Sequence, residues 1–348
     1  MKKSLIIIST LITFLVACEV EISPEQADRF VKMYGNHLLD QASDVAVLDV
    51  GGYAICGTDS LPGLGKRMVL LVTDEFGNLK SGFPAYYTVQ GLQSGATDIV
   101  PIRGGQGGFL LVGYIEVPID GTFLTQKDIF LAKVSINGNI NWQRTYGSKE
   151  DDVVLHATER ISSGFMLAGY RVRDGRSDIM VMGVEEEGDS IRLGLIINNP
   201  YAQNASANYL FNTGEWYNCV CTYDKLGGQG TDVLVLRFDN TLSVLSKKLT
   251  TGAVETGSCI IEDGEDRFLV LGNRVNESGR SELVVYRITT SGHPITNSVL
   301  IATITEGNSD LEGRRFVKTP DGRYAIVGTR TVDGESDLFL QFLTHDYN

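Results

Sequence analysis

Gly107-Gly108-Phe109-Leu110-Leu111-Val112-Gly113, then Asp128-Ile129-Phe130-Leu131-Ala132-Lys133, then Asn137-Gly138-Asn139-Ile140-Asn141-Trp142, is the stretch whose reading decides the fold. An aromatic opens an apolar run that ends in glycine. An acidic residue opens a second β-prone run, and an Asn-Gly pair leads into a third. Apolar residues fall at consecutive positions and not at helical spacing, so these are short strands covered on both faces. Asn-Gly is the preferred two-residue link between antiparallel strands.

The same phrase recurs along the chain. Its aromatic falls at Tyr53, Phe109, Phe165, Tyr217, Phe268 and Tyr324, with spacings of 56, 56, 52, 51 and 56 residues. Gly57, Gly113, Gly169, Gly272 and Gly328 keep phase with it, and Cys221 takes that place in the fourth copy. The following strand opens with Asp128, Asp178, Asp232, Glu282 or Asp337, whereas the first copy has Arg67. Periods of roughly 40 to 50 residues with four strands each signify a β-propeller. The expected fold is all-β: a single six-bladed propeller of four-stranded blades over residues 29–348.

The sixth copy stops after Asp337-Leu338-Phe339-Leu340-Gln341-Phe342-Leu343, without an outer strand. Phe30-Val31-Lys32-Met33-Tyr34-Gly35 has the character of Trp142-Gln143-Arg144-Thr145-Tyr146-Gly147. An N-terminal strand is therefore expected to complete the last blade and remove an exposed edge. The rival reading starts a helix at Ser23-Pro24-Glu25-Gln26, with Gly35 as its stop.

Lys2 and Lys3 precede a short apolar run from Leu5 to Val16, the order of an export signal and too short to span a bilayer. Leu15-Val16-Ala17-Cys18 resembles the lipobox of bacterial lipoproteins. That resemblance implies a signal peptide at 1–17, lipidation of Cys18 and a tether over 18–28. The net charge is −13, and it becomes more negative once Lys2 and Lys3 are removed. So acidic a chain repels nucleic acid and anionic headgroups, which leaves the lipid as the membrane contact.

The repeat phrase resembles that of secreted bacterial propeller proteins, especially lipoproteins of Bacteroides-like organisms. The likeness runs over residues 29–348 and fades in copies four and five. It implies a monomeric propeller anchored at the outer membrane, on its periplasmic or cell-surface face. Most members of that family have no assigned activity.

A search for chemistry finds no catalytic set. His37, His156, His293 and His345 fall in different copies without metal-pair spacing. Gly104-Gly105-Gln106-Gly107-Gly108 and Gly227-Gly228-Gln229-Gly230 precede strands, whereas a phosphate loop precedes a helix. Cys56, Cys219, Cys221 and Cys259 show no redox or metal spacing and are expected to be buried thiols, with a disulfide as the alternative.

Asp44, Asp98 and Asp152, with Asp310 nearby in register, stand near the starts of innermost strands. They either cap their own turns or converge on the channel mouth, where oxygen ligands could hold Ca²⁺. No other cofactor is expected. Tyr86, Tyr87, Tyr201 and Tyr347 lie outside the repeat pattern and are the candidate ligand contacts, since binding residues concentrate on loops. Trp142, Tyr146, Tyr34 and Trp216 sit at repeat positions and are expected to pack. Residues Glu116 to Gln126 and Asn198 to Asn208 are the irregular connections.

Two functional expectations follow. The first is a non-catalytic, lipid-anchored envelope module for binding or assembly, engaging a protein or glycan through one loop face. The alternative is a carboxylate-dependent glycan hydrolase or lyase with its site at the propeller axis.

Overall fold

In a computed structural model the six periodic aromatics each open, or stand next to the opening of, the second strand of a blade. The structure describes residue 34 and residues 40–63, 65–102, 107–188, 191–197, 204–249, 253–291, 295–319, 322–333 and 335–343. Blade 1 consists of β1 (Gln41–Val47), β2 (Tyr53–Leu61), β3 (Gly65–Val72) and β4 (Ala85–Tyr87). Blade 2 consists of β5 (Ser94–Pro101), β6 (Phe109–Pro118), β7 (Thr125–Val134) and β8 (Ile140–Tyr146). Blade 3 consists of β9 (Asp152–Glu159), β10 (Phe165–Arg173), β11 (Arg176–Val184) and β12 (Ile191–Ile197). Blade 4 consists of β13 (Ala205–Asn212), β14 (Tyr217–Asp224), β15 (Thr231–Phe238) and β16 (Val244–Leu249). Blade 5 consists of β17 (Val254–Gly264), β18 (Arg267–Val275), β19 (Ser281–Thr290) and β20 (Ile295–Ile304). Blade 6 has β21 (Asp310–Lys318), β22 (Tyr324–Val332) and β23 (Glu335–Leu343).

Every blade is an antiparallel meander in chain order, and the six together form a six-bladed β-propeller. Blade 6 has three strands among the described residues. Of residues 29–35, which were expected to supply its fourth strand, only Tyr34 is described, and it lies outside any strand.

Stacking of neighbouring blades explains the continuous apolar runs. Leu110, Leu111 and Val112 are all buried, as are Ile129 to Ala132, although successive side chains point to opposite faces of a strand. Odd and even positions enter different cores. Leu111 packs with Ala54 and Leu70 of blade 1, and Leu110 with Leu167 and Met180 of blade 3. Burying one such side chain stabilises the fold by about 1.5–3 kcal/mol. Five such cores join blades 1 through 6 in sequence. On the walls facing the sixth junction, Val45, Val47, Val317, Val327 and Leu340 stay exposed.

The acidic residue of the repeat has a cross-strand role. Glu282 of β19 faces Arg274 of β18 in register and pairs with it at 2.7 Å. In blade 1 the charges are exchanged: Arg67 of β3 faces Asp59 of β2 at 2.8 Å. Between these two blades the pair persists while its polarity reverses. Asn137-Gly138 belongs to a three-residue loop and not the expected two-residue link. Ser135 N donates to Asn139 O, Gly138 N donates to Ser135 O, and Gly138 alone takes a positive φ of 79°. A type I turn followed by one left-handed residue needs that extra position.

Candidate functional site

The innermost strand of every blade carries one extra residue next to the repeat position that is glycine in five blades and Cys221 in blade 4. Ser43, Thr97, Leu155, Asn208, Ser258 and Arg314 are these bulge residues. In blades 1, 2, 3 and 6 the inner strand passes directly over this glycine and leaves no room for a Cβ. A Cβ on Gly113 would lie 1.9 Å from Gly95 O, and one on Gly169 would lie 1.9 Å from Val153 O. Three bulge side chains then fasten their blade to the next. Ser43 Oγ donates to Ala96 O at 2.7 Å, Thr97 Oγ1 to Val154 O at 2.7 Å, and Asn208 Nδ2 to Gly257 O at 2.7 Å.

A bulge re-aims the residue after it. That residue is Asp44, Asp98, His156, Tyr209, Cys259 and Arg315 in blades 1 to 6. The result is an axial ring of six ionisable side chains, one per blade. Several reach the backbone next to the following blade's member. Ala157 N donates to Asp98 Oδ2 at 2.6 Å, and Leu210 N donates to His156 Nδ1 at 3.3 Å. Cys259 Sγ lies 3.9 Å from Phe316 O.

Charge within the ring is balanced internally. Arg315 Nε lies 3.5 Å from Asp44 Oδ1, and Arg315 Nη2 lies 3.6 Å from Asp98 Oδ1. Burial, followed by the neighbouring Asp44 carboxyl, pushes Asp98 well above the usual carboxylate range. A buried carboxyl beside another acid resists ionising, which adds to the effect of burial at Asp98. Burial, then Arg315, holds His156 well below its usual value, so the imidazole is neutral. Its Nδ1 accepts a hydrogen bond, which leaves the proton on Nε2, 4.0 Å from Asp98 Oδ2. The ring of His156 packs against Tyr209 at a tilt of 36° with centroids 3.9 Å apart, and Arg315 sits 5.1 Å from the Tyr209 ring. Burial pushes the Tyr209 phenol up, and the Cys259 thiol up to about 12.

This arrangement weighs against the axial hydrolase geometry. Glycoside hydrolysis needs two carboxyl groups roughly 5 to 10 Å apart around the scissile bond. Asp44 and Asp98 instead lie within hydrogen-bonding reach of one another and share one guanidinium. That guanidinium also takes the place a bound cation would have between the two carboxyls. Among the described residues no three His, Cys, Asp or Glu side chains cluster as metal ligands.

The structure separates the predicted site residues. Asp44 and Asp98 meet at the axis. Asp152 is buried against Arg171, and Asp310 accepts Ser281 N at 2.7 Å with Arg280 at 3.5 Å, so neither joins the ring. Counting from the strand starts placed them together; the bulge register places them apart. Tyr87 is a core residue and not a ligand contact, its hydroxyl donating to Gly138 O at 2.9 Å. Tyr86 is 40% exposed with Arg67 stacked 3.5 Å from its ring centroid. Cys18, Tyr201 and Tyr347 lie outside the described residues. Cys56, Cys219, Cys221 and Cys259 are free buried thiols.

The insertion at 116–126 is a hairpin extension. β6 and β7 run on in register to Pro118 and Thr125, and only the tip between them is loop. That tip is internally bonded: Ile119 N donates to Leu124 O at 3.0 Å, and Thr122 Oγ1 bridges Ile119 O and Leu124 N. Phe123 is fully exposed on it, beside Leu124 at 68%. At the hairpin base Lys66 of blade 1 lies 3.6 Å from Glu116. Sequence reading found this loop but not the residue it displays.

The sequence matches no family model and no curated protein. In fold the chain is similar to a polysaccharide lyase of family PL25, an ulvan lyase, with a TM-score of 0.55 and 11% identity over 91% of this chain and 80% of that one. It is also similar to a Mycobacterium tuberculosis puromycin-hydrolyzing peptidase, with a TM-score of 0.53 and 13% identity over 88% of this chain. This chain spans only 45% of that peptidase. At such identities the likeness is one of fold: this chain shares the propeller with these enzymes, and a propeller hosts many unrelated functions.

Proposed function

We propose that this chain is a non-catalytic binding or assembly module of the bacterial envelope, anchored to the outer membrane through lipid on Cys18. It engages an envelope protein or glycan through the end of the ring that carries the β6–β7 hairpin. The observation that carries this reading is Phe123, held fully exposed on a hydrogen-bonded tip. A large aromatic on a rigid tip contributes nothing to the core and is suited to anchor a partner. Tyr86 and Arg67 of the adjacent blade extend the surface with a second aromatic.

The test is affinity capture from detergent-solubilised outer membranes, using the tagged mature chain and its Phe123→Ala variant. A stoichiometric partner lost on substitution supports the reading. A partner retained equally by both proteins, or no partner at all, sinks it. Cys18→Ala should move the protein from the membrane to the soluble fraction.

A second reading, a glycan hydrolase or lyase at the axis, has the Asp44–Asp98 pair in its favour. For a lyase acting on acidic sugar, Arg315 would have to accept a substrate carboxylate, and two protein carboxyls already flank it. Incubation with acidic polysaccharides and measurement of unsaturated products separates the two readings.

A further inference from the structure

The end of the ring opposite Phe123 carries the loops between first and second strands, since successive strands are antiparallel. There, at the junction of blades 4 and 5, Asn218 of β14 faces Arg237 of β15 in register. Asn218 is 0% exposed and Arg237 is 4% exposed. Neither amide atom of Asn218 has a hydrogen-bond partner, nor do Nε and Nη1 of Arg237. Two adjacent buried polar side chains with four unsatisfied atoms demand a missing partner. The Asp266 and Glu215 carboxylates lie near enough to act on the Arg237 charge, but neither bonds Nε or Nη1, so two donors of a buried guanidinium stay unsatisfied.

Aromatic rings enclose the pair. The Arg237 guanidinium carbon lies 5.4 Å from the centroid of Trp216 and 5.8 Å from that of Phe268. Phe211 faces Asn218 across the strands and meets Phe268 edge-on at 6.2 Å. Trp216 is half-buried and closes the surface side. Its turn is pinned, with Thr213 N donating to Trp216 O at 2.8 Å and Trp216 N donating to Thr213 Oγ1 at 2.9 Å.

The chemistry left open is specific. The guanidinium fork needs an anionic oxygen pair, for which a carboxylate is the natural partner. The carboxamide offers one donor and one acceptor, and a hydroxyl satisfies both. Inorganic phosphate as a bare acceptor leaves the Asn218 carbonyl without a donor, and a neutral sugar leaves the charge-assisted bonds of Arg237 Nε and Nη1 unmade. A flat indole covers the apolar face of a small ring.

We propose that Arg237, Asn218 and Trp216 form a subsite for a uronic-acid residue of an acidic glycan, with Trp216 as the side chain that swings aside to admit it. Arg237 binds the carboxylate, Asn218 binds a ring hydroxyl, and Trp216 closes over the sugar. This subsite is independent of the Phe123 surface, and either can fail without the other.

Trp142 and Trp216 are the only two tryptophans, so Trp142→Phe leaves Trp216 as the sole indole reporter. The probes are sodium glucuronate, glucose and sodium acetate at constant ionic strength, followed by indole emission. The expected result is a saturable change with glucuronate at half-saturation at least tenfold below acetate, and none with glucose. Arg237→Met should abolish it while raising the melting temperature of the ligand-free chain, which shows that the fold is intact. Calorimetric titration of the unsubstituted chain must show the same selectivity. No saturation with glucuronate, equal response to acetate or glucose, or binding retained by Arg237→Met would each overturn the proposal.

Discussion

Arg315 of blade 6 lies 3.5 Å from Asp44 of blade 1, so the last and first blades meet at the axis through an ion pair. The same guanidinium reaches Asp98 of blade 2 at 3.6 Å. Ionic contact thus bridges the junction at which the walls Val47 and Leu340 remain exposed.

Arg315→Met should therefore destabilise the ring. Removing one partner of a buried ion pair leaves the other uncompensated; with Arg315 27% exposed on its side chain, the cost is about 2–4 kcal/mol. Urea unfolding measures it. A double variant with Asp44→Asn should recover part of the loss, and strict additivity of the two would show that they do not interact.

The ring also sets a pH dependence with two opposing signs. His156 is held below its usual value, so it binds fewer protons folded than unfolded, and stability is lost as pH falls below about 6.5. Asp98 is raised, so its contribution is present at low pH and lost as pH rises from about 4 through its folded value. Each slope approaches about 1.4 kcal/mol per pH unit for one proton. Unfolding free energies from pH 4 to 8 should show the acid-side loss vanish in His156→Gln and the alkaline-side loss vanish in Asp98→Asn. An unchanged profile in either variant removes that residue as the cause.

Gly113→Ala should cost roughly 3 kcal/mol or more, because its Cβ would meet Gly95 O at 1.9 Å and backbone must move. Gly63→Asn, with φ of 75° and nothing within 4 Å, should cost under about 1 kcal/mol. Comparable melting temperatures for both variants would remove the bulge as the reason for the repeat glycine.

The thiols should be inert in the folded chain. Cys56, Cys219, Cys221 and Cys259 are buried and free, and burial raises Cys259 to about 12. A thiol reagent should label none of them in native mature protein and all of them in denaturant without reductant. Fewer than four labelled on unfolding would reveal a disulfide.

By itself the sequence determined the blades. The aromatic and the glycine recur with one period because most blades share the same strand start and the same close approach, whereas the recurring acid faces Arg274, Ile115 or Tyr223 in different blades. Identical physical demands at each copy leave identical residues, and periodicity exposes them. Only the tertiary structure decided the axial ring and the Arg237–Asn218 pair. Asp44, Asp98, His156, Tyr209, Cys259 and Arg315 comprise five residue types, because each complements its neighbours around the axis and not its counterparts along the chain. Asp152 looked equivalent to Asp98 until the bulge register set it apart. The surroundings of Arg237 are likewise fixed by which blade faces stack, and that is a property of the tertiary fold alone.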